Sequence, residues 1–120
     1  MSCLFDSLSY FISNLNGSQL RKEITDFIQQ DPIMIEPNVR LSALLESDHI
    51  SINNYVQEMR QSSTWGSAIE IKAFCEMFHV EVHVELLREQ RTVEFIPKVN
   101  QNHNKYIKIS WNGNHFTPVK

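Results

Sequence analysis

Ala68–Glu85 reads AIEIKAFCEMFHVEVHVE, and the change of period inside it decides the fold class. From Ala68 to Phe78 the apolar residues Ala68, Ile69, Ile71, Ala73, Phe74, Cys75 and Phe78 fall almost all the way round a helix. A helix apolar on all sides is buried on all sides, so this segment predicts the central helix of the domain. After His79 the period drops to two. Val80, Val82 and Val84 alternate with Glu81, His83 and Glu85, the pattern of a half-buried strand.

Downstream, Arg91 to Ile96 is β-rich, and Pro97, which cannot donate to a ladder, should end that strand. Lys98 to Asn104 reads as a polar loop. Tyr106, Ile107, Ile109 and Trp111 predict a third strand. Asn112–Gly113 is a hairpin signal leading into His115, Phe116 and Val119 as a fourth. Upstream, the pattern is helical. Leu4, Phe5, Leu8, Phe11, Ile12 and Leu15 recur three or four apart, predicting a helix from Cys3 to about Asn14. Asn16–Gly17 marks a turn. Ser18 is expected to cap a helix only partially, since Arg21 stands where a capping box would want Glu; Leu20, Ile24, Phe27 and Ile28 lie on one face of that helix, which should end before Asp31–Pro32. Pro32 and Pro37 suggest an extended connector. Leu41, Leu44 and Leu45 suggest a short helix, and Ser51 caps another carrying Ile52, Tyr55, Val56 and Met59. Helices first and an antiparallel sheet second make an α+β domain.

The chain has 120 residues, 42% of them hydrophobic, which suits one domain over 1–120 and no second. Its net charge is −3 and its 11 basic residues form no run, which argues against nucleic acid as a partner. No apolar run is long enough for a membrane span. The apolar start carries Asp6, lacks a basic flank and shows no cleavage pattern, against a signal peptide. Two cysteines outside any C-x-x-C pair suit a reducing, intracellular setting.

Two constellations carry candidate chemistry. Cys3 is placed at the first turn of a helix, a setting that favours the reactive thiolate form of a cysteine, although a small apolar packing residue is the plainer reading. Trp111–Asn112–Gly113–Asn114–His115–Phe116 delivers a histidine after a tight turn. A Cys–His pair can be assembled from distant parts of a chain, the imidazole taking the thiol proton. Taken alone, His115 reads more plainly as an exposed turn histidine. Cys75 and His79 share a helix face, but a cysteine in so apolar a helix should be inert. Glu81, His83 and Glu85 share a strand face and could hold a metal; a solvated polar face is the commoner meaning, and no metal or other cofactor is expected.

The residues together resemble the ovarian-tumour (OTU) family of cysteine proteases. The likeness lies in Cys3–Leu4–Phe5 with Leu8, Leu20–Arg21, Tyr55 with Met59, and Thr64–Trp65–Gly66–Ser67 with Glu70–Ile71 and Ala73. Val80 to Val84 and Asn114–His115–Phe116 with Val119 complete it, in the family's order. The resemblance implies a papain-like fold and hydrolysis after the C-terminal glycine of ubiquitin or a ubiquitin-like modifier. It implies Cys3 as nucleophile, His115 as base, and the Cys3 backbone N–H as an oxyanion donor. Trp65, Gly66 and Trp111 would lie near the channel for the modifier's tail. The implied protein is a monomeric cytoplasmic deubiquitinase, in the host cytoplasm if viral, and the short loops resemble the compact viral end of the family.

Two departures matter. Family members commonly carry Asp-Gly-x before the cysteine, whereas Met1–Ser2 stand there, so that acid has no counterpart in this chain. The position two after the histidine, another common place for an orienting acid or amide, is Thr117, with Asn112 and Asn114 as further candidates. A weaker orienting group implies a slower Cys–His dyad. The alternatives are a catalytically impaired ubiquitin-binding scaffold and a viral polyprotein protease.

Overall fold

The computed structural model describes residues 3–35, 38–98 and 105–120. Expectations for Met1–Ser2, for Pro37 in the connector and for most of the 98–104 loop lie outside them.

The chain begins with α1 (Cys3–Ser9), which buries Leu4, Phe5 and Leu8. The expected extension to Asn14 does not form. Phe11 and Ile12 donate to Leu8 and Ser9, three residues back, so the last turn tightens and stops. Phe11, Ile12 and Leu15 still pack on the core from this non-helical tail, which explains the continued apolar spacing. In α2 (Gly17–Gln29) the cap is Asn16 rather than Ser18. The Asn16 carboxamide accepts from Gln19 N at 2.8 Å, and Gln19 Oε1 accepts from Asn16 N at 2.9 Å, a complete capping box. The connector holds a small antiparallel pair, β1 (Ile33–Ile35) and β2 (Val39–Arg40), masked in sequence by its prolines. Then follow α3 (Leu41–Glu46), α4 (Ile52–Met59), capped by Ser51 as expected, and α5 (Ala68–Phe78).

The α5 helix buries Ile71, Ala73, Phe74 and Cys75 between α2 and the main sheet, the central position its all-round apolarity predicts. That sheet comprises β3 (Glu81–Leu86), β4 (Arg91–Phe95), β5 (Tyr106–Trp111) and β6 (Phe116–Pro118), in the order β4-β3-β5-β6. The α+β class holds, but the sheet is mixed rather than antiparallel, because β3 and β5 run parallel. The register gives the reason. In the β3–β4 hairpin Phe95 ends opposite Val82, near the start of β3. A strand that starts from that end, as β5 does with Tyr106 opposite Glu81, runs in the direction of β3. The core runs from Leu4, Phe5 and Leu8 through Leu20, Ile24 and Phe74 to Val82 and Ile109.

Candidate active site

Cys3 opens α1 and is partly exposed, while Leu4 and Phe5 behind it are buried and fix the turn that carries it. The Cys3 carbonyl accepts a 2.7 Å hydrogen bond from the buried Ser7 hydroxyl one turn on. α1 packs against β6, the strand that His115 immediately precedes.

His115 is held by its backbone. Gly113 adopts φ 101°, open to glycine and costly for other residues. The Asn112 carboxamide oxygen accepts the N–H groups of Asn114 and His115, each at 2.8 Å. Asn112 N donates to the His115 carbonyl at 3.2 Å, closing the hairpin. The His115 side chain is exposed. Of the expected orienting residues, Asn112 thus spends its carboxamide oxygen on the turn. Thr117 hydrogen-bonds Ser110, its partner across β5 and β6, at 2.8 Å. Asn114 is exposed beside the turn.

Trp65, Gly66 and Trp111 link the neighbours of Cys3 and His115. Gly66 packs so closely on Leu4 that an added Cβ would lie 2.4 Å from Leu4 Cδ2. The Trp65 ring meets Trp111 edge-on at 6.0 Å, and Trp111 packs on Phe116 at 4.6 Å. An apolar cleft of about 280 Å³ opens beside Trp111 and Phe116, lined also by Ala68, Ile71, Leu86 and Phe95.

The segment before α5 is gripped by polar side chains. The Glu70 carboxylate, fully buried, accepts from Ser67 N and Ser67 Oγ at 2.7 Å each and from the Tyr55 hydroxyl at 2.7 Å. Burial pushes the Glu70 carboxyl above the usual carboxylate range, and these hydrogen bonds oppose the rise. On the other side, Arg21 donates to the carbonyls of Met59 at 2.7 Å and Thr64 at 2.9 Å, with its guanidinium 4.2 Å from the centre of the Phe5 ring. Arg21, Tyr55 and Glu70 are among the family-like residues, but sequence alone assigns them no part in the site. The signal was present as Ser67-x-x-Glu70 before an apolar run, the capping-box pattern.

The sequence profile of the family described as OTU-like cysteine protease matches residues 2–116. The chain belongs to the OTU family of cysteine proteases. Ubiquitin thioesterase otu2 of Schizosaccharomyces pombe is 31% identical over 91 residues, covering 69% of this chain and 29% of that protein. This OTU chain spans about a third or less of the curated relatives it matches. Its fold is that of a solved OTU domain in complex with ubiquitin, with TM-score 0.74 and 23% identity over 98% of this chain and 62% of the other. The Hazara virus OTU bound to ubiquitin superposes with TM-score 0.72 at 16% identity, covering 99% of this chain and 74% of that one.

The rival sites of this OTU domain resolve differently. Cys75 is buried and points its thiol at the Phe95 carbonyl, 3.4 Å away, rather than pairing with His79, which caps α5 in the left-handed conformation. Burial pushes the Cys75 thiol up to about 12, so it is a protonated packing group. On the outer sheet face Glu85 pairs with Lys108 at 3.2 Å instead of joining Glu81 and His83. His83 bonds Glu81 at 3.0 Å and stacks on Tyr106. The register brings Glu94 opposite His83, so one ligand atom each from Glu81, His83 and Glu94 lies within 4.8 Å of the others. That trio, rather than Glu81, His83 and Glu85, has the spacing to hold a metal ion. Among the described residues no helix is long and apolar enough to cross a membrane.

Proposed function

We propose that this chain is a deubiquitinating cysteine peptidase, one unit over residues 1–120, cleaving after the C-terminal glycine of ubiquitin or a ubiquitin-like modifier. Cys3 attacks the scissile carbonyl and His115 accepts the thiol proton, then returns it to the leaving amine. The Cys3 backbone N–H stabilises the oxyanion. The observation that carries this reading is the packing of α1 on β6, the helix that begins at Cys3 against the strand that follows His115. The hairpin supports it further, since Asn112 fixes the backbone of His115 on both sides. Trp65, Gly66 and Trp111 would wall the channel for the modifier's tail. The names of its relatives, ubiquitin thioesterases and ubiquitin-bound OTU domains, support ubiquitin as the partner. The protein acts as a monomer, and two free thiols suit the cytoplasm.

The test is hydrolysis of a fluorogenic ubiquitin C-terminal reporter by wild type and by Cys3→Ala. Turnover abolished in the variant supports the assignment, and equal rates reject it. A ubiquitin probe with a C-terminal electrophile should label Cys3 and spare Cys75. Ubiquitin binding with no turnover by wild type at any pH would instead indicate a scaffold.

A further inference from the structure

We propose that Tyr55 and Glu70 are positioning residues that set the Trp65–Gly66 wall of the substrate channel. The proposal rests on the peptidase reading above. Segment 64–67 is gripped at both ends and carries its contacts in the middle. At one end Arg21 holds the Thr64 carbonyl at 2.9 Å. At the other, Glu70 holds Ser67 through both its N–H and its hydroxyl, and Tyr55 completes the carboxylate's shell from α4. Between these points the chain presents Gly66 to Leu4, the residue after Cys3, and Trp65 to Trp111, which packs on Phe116, the residue after His115.

The arrangement exceeds what a helix cap needs. A capping box requires one carboxylate oxygen facing the cap residue. Here the second oxygen takes a hydroxyl from another helix, and Tyr55 Oη also lies 3.1 Å from Ser67 Oγ. Both hydroxyl protons go to Glu70, so that last approach is a contact, and α4 reaches Ser67 through the shared Glu70 carboxylate. The Glu70 carboxylate is fully buried, so its hydrogen bonds are made without competition from bulk water and leave the cap few alternative geometries. Trp65, by contrast, is 46% exposed although it is held between these anchors. A large ring fixed in place yet open to solvent suits contact with an extended peptide. Loosening the clamp should therefore weaken substrate binding more than it alters the reacting groups.

The experiment uses Tyr55→Phe and Glu70→Gln in the whole chain. Tyr55→Phe deletes one hydroxyl from a partly exposed ring and keeps the fold even if Glu70→Gln does not. Two readouts are taken. Near-UV circular dichroism reports the Trp65–Trp111 pair, the chain having only those two tryptophans. Reporter kinetics separate KM from kcat. Loss of one ordering hydrogen bond predicts a rise in KM of about fivefold with kcat nearly retained, together with a weaker tryptophan signal. A tryptophan signal equal to wild type in folded Tyr55→Phe overturns the clamp, whatever the kinetics. An altered signal with KM unchanged overturns its role in substrate binding. If wild type fails to cleave the reporter while the variants lose the tryptophan signal, the peptidase reading falls and the clamp on the wall segment stands.

Discussion

Adding one methyl at Gly66 tests the packing between the wall segment and the helix that bears Cys3. Gly66 is outside the left-handed region, since Gly113 is the glycine with positive φ among the described residues. An alanine therefore meets no backbone strain at this position, and its whole cost is steric. The new Cβ would lie 2.4 Å from Leu4 Cδ2 and 3.2 Å from both Leu4 Cβ and Cγ. Leu4 is 1% exposed, so its side chain cannot swing into solvent. Either Leu4 leaves its rotamer or α1 shifts, and overpacking of this kind costs about 1–3 kcal/mol. For a chain of this size that is a fall in Tm of roughly 5–15 °C by calorimetry. Because Leu4 follows Cys3, the displacement should also lower reporter kcat/KM by about tenfold or more, a sub-ångström misplacement being enough. The decisive control is a double-mutant cycle with Leu4→Ala. That change is itself destabilising by about 2–5 kcal/mol, but it removes Cδ2 and Cγ and leaves only the 3.2 Å approach of Leu4 Cβ. In that background Gly66→Ala should cost little, leaving a coupling of about 1–3 kcal/mol. A Tm for Gly66→Ala equal to wild type, or penalties that simply add, would refute the steric account.

Two further outcomes are expected. In the native protein below about pH 10, thiol reagents should modify Cys3 and leave Cys75 intact, since burial pushes the Cys75 thiol up to about 12; reaction of both thiols at equal rates, followed by mass spectrometry, would contradict this. Glu70 makes the opposite contribution to a salt-bridged acid. Its folded carboxyl titrates above its ordinary value of 4.5. The folded state therefore holds a proton that the unfolded state has already released, and stability falls as pH rises through that interval. Below it Glu70 is neutral in both states, and above it the penalty is complete. The urea midpoint of wild type should drop relative to Glu70→Gln as pH rises from about 4.5, and a constant or growing advantage for wild type would contradict the sign.

The parts of this molecule that sequence reveals are those encoded by neighbours a few residues apart. Ala68–Phe78 is apolar all round and occupies the centre between α2 and the sheet. The Asn112–Gly113 hairpin forms where its dipeptide directs, because the carboxamide and the left-handed glycine act within four residues. The parallel pairing of β3 with β5 is different in kind. Period-two patterning shows which face of a strand is buried and carries nothing about the direction of its neighbour, which depends on where β4 ends. Helix ends misled for a related reason. Phe11, Ile12 and Leu15 are core residues whether or not the helix reaches them, so apolar spacing alone could not mark the stop at Ser9. The candidate site divides along the same line. Cys3, Trp65, Gly66, Trp111 and His115 belong to recognisable local blocks. The Glu70 clamp joins α2, α4 and α5 over separations that no local pattern records. Arg21 illustrates the point. In sequence it occupies the third place after a presumed serine cap, where a glutamate would be wanted, and reads as an imperfect cap. In the fold it is 4% exposed, two residues past the true box, and its guanidinium binds main-chain carbonyls from 59 to 64. A buried arginine aimed at carbonyls is a tertiary device, and only the arrangement of three helices gives the residue its meaning.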